Sequence, residues 1–166
     1  YAEEFRKRQN ALDIPIGITR IGVHTGIATI GNFGSQTRMD FTALGDTVNT
    51  AARTEGVNKY FGTRICCTQD TVSKITHLSF RKIGDVVLKG KIESVGLYTP
   101  VLEEELNNGL YQDYLKTYDA ITNTESGVLE LVEQMCQKYP QDSLFQFHVN
   151  RIRSGVISPL IVMEDK

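Results

Sequence analysis

The sequence predicts a mixed fold of the α/β or α+β class, followed by a helical segment. Segments rich in β-branched residues alternate with helical patterns as far as Pro100, and amphipathic helical spacing dominates after it. Glycine content changes at the same place, because 11 of the 14 glycines lie in the first hundred residues. Charge changes there too: residues 1–100 carry 13 basic and 9 acidic side chains, and residues 101–166 carry 5 and 11.

The first part of the chain predicts one short helix and three strands. Residues 1–11 have the spacing of a helix end, and residues 16–25 are rich in β-branched residues, which predicts a strand. A second strand is predicted after a tight turn at Gly26 and ends in a loop that begins near Gly31. Residues 39–44 predict a third, short strand.

A longer helix is predicted from about residue 47 to residue 60. Asp46 suits its N-cap, because a carboxylate can accept hydrogen bonds from the free N–H groups of the first turn. Asn49 and Arg53 are four residues apart and therefore share one face. That pair fits either an ordinary solvated surface or a site for a sugar oxygen and a phosphate, since arginine suits phosphate. The adjoining positions predict an apolar face: Val48, Ala51 and Ala52.

Strands and helices continue to alternate up to Pro100. Residues 63–67, 78–88 and 95–101 predict three further strands, and residues 69–75 predict a brief helix between the first two. Gly84 lies inside the second of these strands and predicts a β-bulge.

The last third of the chain predicts helices. Apolar residues recur at helical spacing over residues 102–118 and again over residues 128–139, where Pro140 ends the pattern. Asp142 suits the N-cap of a third helix. Residues 154–166 carry no clear pattern.

Composition excludes several classes of protein. The chain is 40% hydrophobic and 23% charged, which is ordinary for a globular domain, and no apolar run approaches the roughly 20 residues of a membrane helix. The excess of four positive charges before Pro100 is too weak and scattered to indicate nucleic-acid binding. Three cysteines give no disulfide framework or zinc motif, which favours free thiols in the reducing cytoplasm.

The glycine-rich stretch 26–34 does not form a phosphate-binding P-loop. Gly26 and Gly31 have the required spacing, but Asn32 stands where the lysine should be, and no Ser or Thr follows it. Glycines that permit a tight hairpin and close backbone approach explain the stretch better.

Residue identities point to a family. Residues 20–35, RIGVHTGIATIGNFGS, and residues 38–53, RMDFTALGDTVNTAAR, closely resemble the catalytic domain of the class III adenylate and guanylate cyclases. Residues 86–91, VVLKGK, resemble the closing segment of the same domain. The resemblance covers about residues 1–100. We therefore expect residues 1–101 to be the C-terminal part of a cyclase domain and residues 102–166 to be a helical tail.

The resemblance implies a partial ferredoxin-like core, a head-to-tail homodimer and active sites at the dimer interface. It implies conversion of ATP to 3′,5′-cyclic AMP and pyrophosphate, with two ions of Mg²⁺ or Mn²⁺. Carried over residue by residue, it implies that Asn49 orients the ribose, that Arg53 stabilises the transition state, and that Lys89 contacts the triphosphate, with Lys91 as second choice. It implies that Thr42 reads the purine, and threonine there favours ATP over GTP.

One departure from the family concerns the metal. The family's two metal-binding aspartates, and its base-reading lysine, lie upstream of the matched stretch. The chain begins with Tyr1 rather than Met, which indicates a fragment or a processed product. Asp40 and Asp46 lie at positions that are not metal ligands in the family, so we assign no metal ligand in this chain. We therefore expect the 166-residue chain alone to be inactive.

Two alternatives to an adenylate cyclase stay open from the sequence. One is a guanylate cyclase, which Thr42 disfavours. The other is a non-catalytic, cyclase-like module for dimerisation or regulation, which the retained Asn49, Arg53 and Lys89 disfavour. We expect no nucleic-acid partner and no membrane contact by this segment, and a cytoplasmic location. A membrane anchor upstream of it stays open.

Overall fold

A computed structural model describes residues 1–163. Six strands and three helices are interspersed in the first hundred residues, and four helices and a short strand follow in the described part of the chain. In chain order they are α1 (Ala2–Asn10), β1 (Ile21–Val23), β2 (Thr29–Ser35), β3 (Arg38–Leu44), α2 (Asp46–Phe61), β4 (Ile65–Thr68), α3 (Gln69–Val72), β5 (Phe80–Val87), β6 (Ser94–Pro100), α4 (Glu103–Asn107), α5 (Leu110–Thr122), α6 (Val128–Lys138), α7 (Ser143–Arg153) and β7 (Leu160–Val162). This mixed α and β architecture confirms the predicted fold class.

Five strands form one mixed sheet in the order β1-β4-β6-β5-β7. β1 pairs with β4 in parallel, β4 and β5 each pair with β6 antiparallel, and β7 pairs with β5 in parallel. The register of β5 against β6 shifts between Lys82 and Gly84, so the predicted bulge is present. β2 and β3 form a separate antiparallel hairpin that leads through Gly45 directly into α2.

One core joins the sheet to helices from both parts of the chain. Its fully buried members from the first hundred residues include Phe61, Cys66, Ile83 and Leu97. Its members from the later part are Leu110, Tyr114, Tyr118, Leu144, Phe145 and Ile161. A second, smaller cluster lies among α5, α6 and α7. The later helices therefore contribute apolar side chains to the same core as the sheet.

The structure corrects several predicted elements. The strand predicted for residues 16–25 is present only as β1, and Gly31 lies inside β2 rather than in a loop. The helix predicted over residues 102–118 is two helices, because Gly109 adopts a positive φ of 82° between α4 and α5. The strand β7 was not predicted from the sequence. It is only three residues long, and it is held in place by pairing with β5, which is distant in the chain.

The caps of the later helices agree with the sequence. Asp142 caps α7, and its side chain accepts hydrogen bonds from the backbone N–H groups of Leu144 and Phe145, both at 3.1 Å. α6 ends at Lys138, just before Pro140, as the apolar stripe predicts. Among residues 1–163, none of the helices has the length and apolar character of a membrane span.

Candidate active site

The helix α2 carries Asn49 and Arg53 on its outer side. Asn49 is exposed and Arg53 is half-buried. The buried side of α2 consists instead of Thr50, Thr54, Val57, Asn58 and Phe61. The predicted apolar face is therefore wrong, because Val48 and Ala52 are exposed and Ala51 is only half-buried. The two site candidates lie away from the core, where a ligand can reach them.

A glycine in β1 fixes how closely α2 approaches the sheet. A Cβ at Gly22 would lie 2.2 Å from the backbone nitrogen of Glu55 and 2.4 Å from the carbonyl oxygen of Ala51. Both atoms belong to the backbone of α2, so no side-chain movement would relieve the clash. Two buried polar side chains of α2 have hydrogen-bond partners in this region. The Thr54 hydroxyl donates to the carbonyl of Thr50 at 2.8 Å, and the Asn58 amide donates to the carbonyl of Ile21 in β1 at 3.0 Å. Gly22 therefore sets the position of the helix that carries Asn49 and Arg53.

A group of polar side chains lies near the start of α2, and its members follow β1, end β4 or belong to α3. The ring Nδ1 of His24 lies 2.8 Å from the hydroxyl of Thr68, and the hydroxyls of Thr25 and Thr71 are 3.0 Å apart. The hydroxyl of Thr47, in the first turn of α2, donates to the carbonyl of Ile27 at 2.7 Å. Sequence reasoning missed this network, because the strand predicted for residues 16–25 included His24 and Thr25, whereas β1 ends at Val23.

The turn that carries Lys89 lies against Arg53. The backbone N–H of Lys91 donates to the carbonyl of Leu88 at 2.9 Å, and Gly90 has a φ of 69°, which favours glycine. A Cβ at Gly90 would lie 3.3 Å from Nη2 of Arg53. Lys89 is exposed at the start of this turn. The structure thus brings the Lys89 turn and the Arg53 guanidinium together, although 36 positions separate the two residues in the chain.

Asp46 does not have its predicted role. Gly45 occupies the N-cap position of α2, and Asp46 is the first residue of the helix, with no capping hydrogen bond from its side chain. Its carboxylate instead forms an ion pair with the ammonium of Lys91. The hydrogen bond from Lys91 lowers the pKa of the Asp46 carboxyl. The sequence could not predict this pair, because the partners are far apart in the chain.

Thr42 lies on the hairpin, a different element from those that carry Arg53 and Lys89. It is exposed on β3, and it faces Gly31 of β2 in the register of the hairpin. Phe41, its neighbour, points to the opposite face, because side chains alternate along a strand. The connection from the strand that carries Thr42 to α2 is short, since β3 ends at Leu44 and α2 begins at Asp46.

The described residues do not fit a metal pair. Over residues 1–163, no group of three or more His, Cys, Asp or Glu side chains is arranged to hold a metal ion. Asp46 is paired with Lys91, and Asp40 lies 3.6 Å from Arg38. These residues therefore do not supply the ligands of a metal pair.

Comparison with known proteins places the chain in a family. Residues 3–102 match the adenylate and guanylate cyclase catalytic domain. The chain belongs to this family, as its motifs predict.

Several of its relatives are named adenylate cyclases. The chain is 38% identical over 100 residues to adenylate cyclase 1 of Rhizobium meliloti, a match that covers 60% of this chain and 15% of that protein. It is 38% identical over 82 residues to an adenylate cyclase of Anabaena cylindrica, covering 47% of this chain and 16% of that protein. The chain thus spans less than a fifth of the length of these two relatives.

A solved structure supports the same fold. The adenylyl cyclase CyaB from P. aeruginosa superposes with a TM-score of 0.52 at 32% sequence identity. The match covers 61% of this chain and 52% of that one.

Proposed function

We propose that this chain is part of an adenylate cyclase that converts ATP to 3′,5′-cyclic AMP and pyrophosphate. The observation that carries the proposal is the contact between the Lys89 turn and Arg53. A Cβ at Gly90 would meet the Arg53 guanidinium at 3.3 Å, which puts the backbone next to Lys89 beside the Arg53 charge. Two cationic side chains so placed suit a chain of phosphates.

The proposed roles follow from charge and position. Arg53 carries a guanidinium group, whose positive charge can stabilise negative charge that develops at the α-phosphate. Lys89 is exposed and supplies a point charge to the phosphates. Asn49 lies one helical turn before Arg53, where its amide can hydrogen-bond the ribose.

The proposed reaction replaces a phosphoanhydride bond of ATP by a phosphoester bond to the 3′-oxygen. The 3′-hydroxyl oxygen forms a bond to the α-phosphorus, and the bond from that phosphorus to the bridging oxygen of the β-phosphate breaks. Pyrophosphate leaves with the electron pair, and the hydroxyl proton passes to solvent. Negative charge increases around the α-phosphate during this exchange, so the Arg53 guanidinium favours the transition state over the ground state.

We assign purine recognition to Thr42. Its hydroxyl can donate to or accept from the adenine edge. Its place on β3, ahead of the short connection to α2, puts it on a different element from Asn49 and Arg53. We therefore propose ATP, rather than GTP, as the substrate.

We propose that the site is completed by a second cyclase domain in a head-to-tail homodimer. One face of the hairpin exposes large apolar side chains, including Ile30, Met39 and Phe41, and Phe41 is 74% exposed. Contiguous exposed apolar side chains of this kind indicate a protein contact. The two ions of Mg²⁺ or Mn²⁺ that the family implies would be held by residues outside those described here.

We also propose a cytoplasmic location for this segment. Cys66, Cys67 and Cys136 are all free thiols, as expected in a reducing compartment.

Nucleotide binding tests the proposed site directly. The 166-residue chain is titrated into N-methylanthraniloyl ATP and N-methylanthraniloyl GTP, with fluorescence as the signal. We expect tighter binding of the ATP analogue, and we expect Arg53→Ala and Lys89→Ala each to weaken it about tenfold, since a hydrogen bond to a charged group contributes roughly 1.5–3 kcal/mol. Glu55→Gln, an exposed change on α2, is the matched control. Equal binding by the wild type and both variants would contradict the proposal.

Complementation distinguishes a catalytic segment from a non-catalytic module. CyaB is inactivated at the arginine that corresponds to Arg53 and is then mixed with this chain. If the chain supplies Asn49 and Arg53 to a shared site, cyclic AMP forms, and Arg53→Ala in the chain abolishes it. Activity that does not depend on Arg53 would favour the dimerisation or regulatory module.

A further inference from the structure

The ion pair between Asp46 and Lys91 connects the two segments that carry the proposed phosphate-binding groups. Asp46 is the first residue of α2, and Lys91 ends the turn after β5. The Asp46 side chain is 73% exposed, whereas the Lys91 side chain is only 21% exposed. The aliphatic part of the Lys91 side chain is therefore largely covered, and its ammonium pairs with the Asp46 carboxylate.

Three further contacts surround that pair. The turn is closed by the bond from the N–H of Lys91 to the carbonyl of Leu88. Gly90, at its centre, packs against the Arg53 guanidinium, where any side chain would meet it. On the helix side, the Thr50 hydroxyl donates to the backbone carbonyl of Asp46 at 2.9 Å and lies 3.5 Å from its carboxylate. The Thr50 hydroxyl thus contacts Asp46 from within α2, while the Asp46 carboxylate pairs with Lys91 of the turn.

Positive side chains are concentrated in the two segments that meet here. Arg53 belongs to α2 and Lys89 and Lys91 to the turn that packs against it, and like charges placed close together repel. The charge of Arg53 also lowers the pKa of the Asp46 carboxyl, after the larger effect of Lys91, so this carboxylate interacts with both segments. Asp46 thus places a negative charge beside both segments.

We propose that Asp46 is a positioning residue: through Lys91 it holds the turn 89–91 against Arg53, so that Lys89 and Arg53 face the same triphosphate. This inference rests on the proposed function. It assigns Lys91 to the support of the turn and leaves phosphate contact to Lys89 and Arg53.

The sign of one effect separates this role from simple electrostatics. If Asp46 only weakened the positive field, Asp46→Asn would tighten binding of N-methylanthraniloyl ATP, since a negative charge beside the anion site is removed. The positioning role predicts about two- to fivefold weaker binding, the range for loss of a partly exposed ion pair. Glu55→Gln removes a negative charge from the same helix without touching the pair, and it should leave the affinity unchanged.

A double-mutant cycle and a charge reversal test the pair itself. Lys91→Met should weaken binding as much as Asp46→Asn, and the double variant should be no worse than either one. The reversed pair, Asp46→Lys with Lys91→Asp, should recover most of the affinity that either reversal alone loses. Additive losses or the absence of recovery would overturn the proposal. A thermal melt of each variant excludes a loss caused by unfolding.

A measurement without nucleotide keeps this inference separate from the proposed function. The amide resonance of Gly90 is compared in wild type and Asp46→Asn by ¹H–¹⁵N correlation spectroscopy, and a clear shift is expected because the turn is released. An unchanged Gly90 resonance would overturn the positioning role even if ATP binds. If Asp46→Asn shifts the Gly90 resonance but the wild type binds no ATP analogue, the proposed function fails, and the triphosphate role assigned to Asp46 fails with it.

Discussion

The guanidinium of Arg81 donates to the carboxylate of Asp142 at 2.6 Å, and both side chains are more than nine-tenths buried. Arg81 lies on β5, and Asp142 caps α7. The Asp142 carboxylate therefore pairs with a side chain of the strand and also accepts hydrogen bonds from the first turn of the helix. A second carboxylate, that of Glu105 in α4, accepts from the same guanidinium at 3.0 Å. This cluster ties the family-matched strands to the helices that follow them.

Breaking the Arg81 pair should destabilise the chain strongly. Asp142→Asn removes the charge but keeps a side chain that caps helices well, so it isolates the ion pair from the cap. We expect a loss of about 2 kcal/mol in the free energy of unfolding, the range for a hydrogen bond to a charged group, because Glu105 still accepts from the Arg81 guanidinium. Urea unfolding measures it. Glu133→Gln, which breaks the exposed pair with Arg153, is the control and should cost at most about 1 kcal/mol. A loss below that for Asp142→Asn would contradict the assignment.

Gly22 should not tolerate a side chain. Gly22→Ala places a methyl group within 2.4 Å of the α2 backbone, so the helix must shift. We expect a loss of about 3 kcal/mol, at the upper end of the cost of overpacking. Gly56→Ala is the matched control: it lies in the interior of α2 with nothing within 4 Å, and it should stabilise the chain by about 0.5–1 kcal/mol. Similar melting temperatures for the two variants would show that the close approach is not required.

His148 should make the chain less stable in mild acid. Burial lowers the pKa of its imidazole to about 3. Its Nε2 lies 3.1 Å from the hydroxyl of Tyr114, which donates to the carbonyl of Lys82, whereas Nδ1 is buried without a partner in the described structure. A proton added to Nδ1 would therefore have no acceptor, which agrees with a neutral ring in the folded state.

The direction of this pH effect follows from the two states. The unfolded chain takes up the proton near pH 6.5, and the folded chain does so only near pH 3. Stability is therefore complete above about pH 6.5 and falls as the pH drops towards 3, by at most about 1.4 kcal/mol per pH unit. Urea midpoints between pH 7 and pH 5 measure the slope. His148→Gln should reduce it, and the exposed His77→Gln should leave it unchanged. An equal slope in all three proteins would contradict the buried neutral histidine.

The helical tail should be needed for folding. A chain that ends at residue 101 loses Asp142 and Glu105, the partners of Arg81, and also loses Tyr114 and Phe145 from the shared core. We expect it to bind a hydrophobic dye and to unfold without a cooperative transition. Cooperative unfolding of residues 1–101 would instead support a division into two independent units near residue 101.

Local signals predicted much of this fold. The bulge at Gly84, the cap at Asp142 and the end of α6 before Pro140 each depend on residues within one turn of the chain, so the sequence alone could indicate them. The family and its fold also followed from continuous motifs. The roles of Thr42, Asn49, Arg53 and Lys89 in substrate binding stay predictions.

Long-range contacts account for what the sequence did not predict. The residues around Asp46 in the sequence predicted a helix cap there. In the structure its carboxylate pairs instead with Lys91, which is 45 positions away in the chain. Gly22 brings β1 close to the backbone of α2, and beside this close approach the buried side of the helix carries Thr50 and Thr54 rather than the predicted alanines. Neither contact leaves a periodic pattern in the sequence.

The short strand β7 has a consequence for behaviour at high concentration. β5 is eight residues long, and without β7 its far side would offer a row of free backbone groups to another chain. β7 covers part of that row and presents only three residues of its own as the new edge, and β1, at the other edge, is equally short. Short outer strands discourage edge-to-edge sheet growth between molecules. The C-terminal strand therefore protects the protein against aggregation as well as completing its sheet.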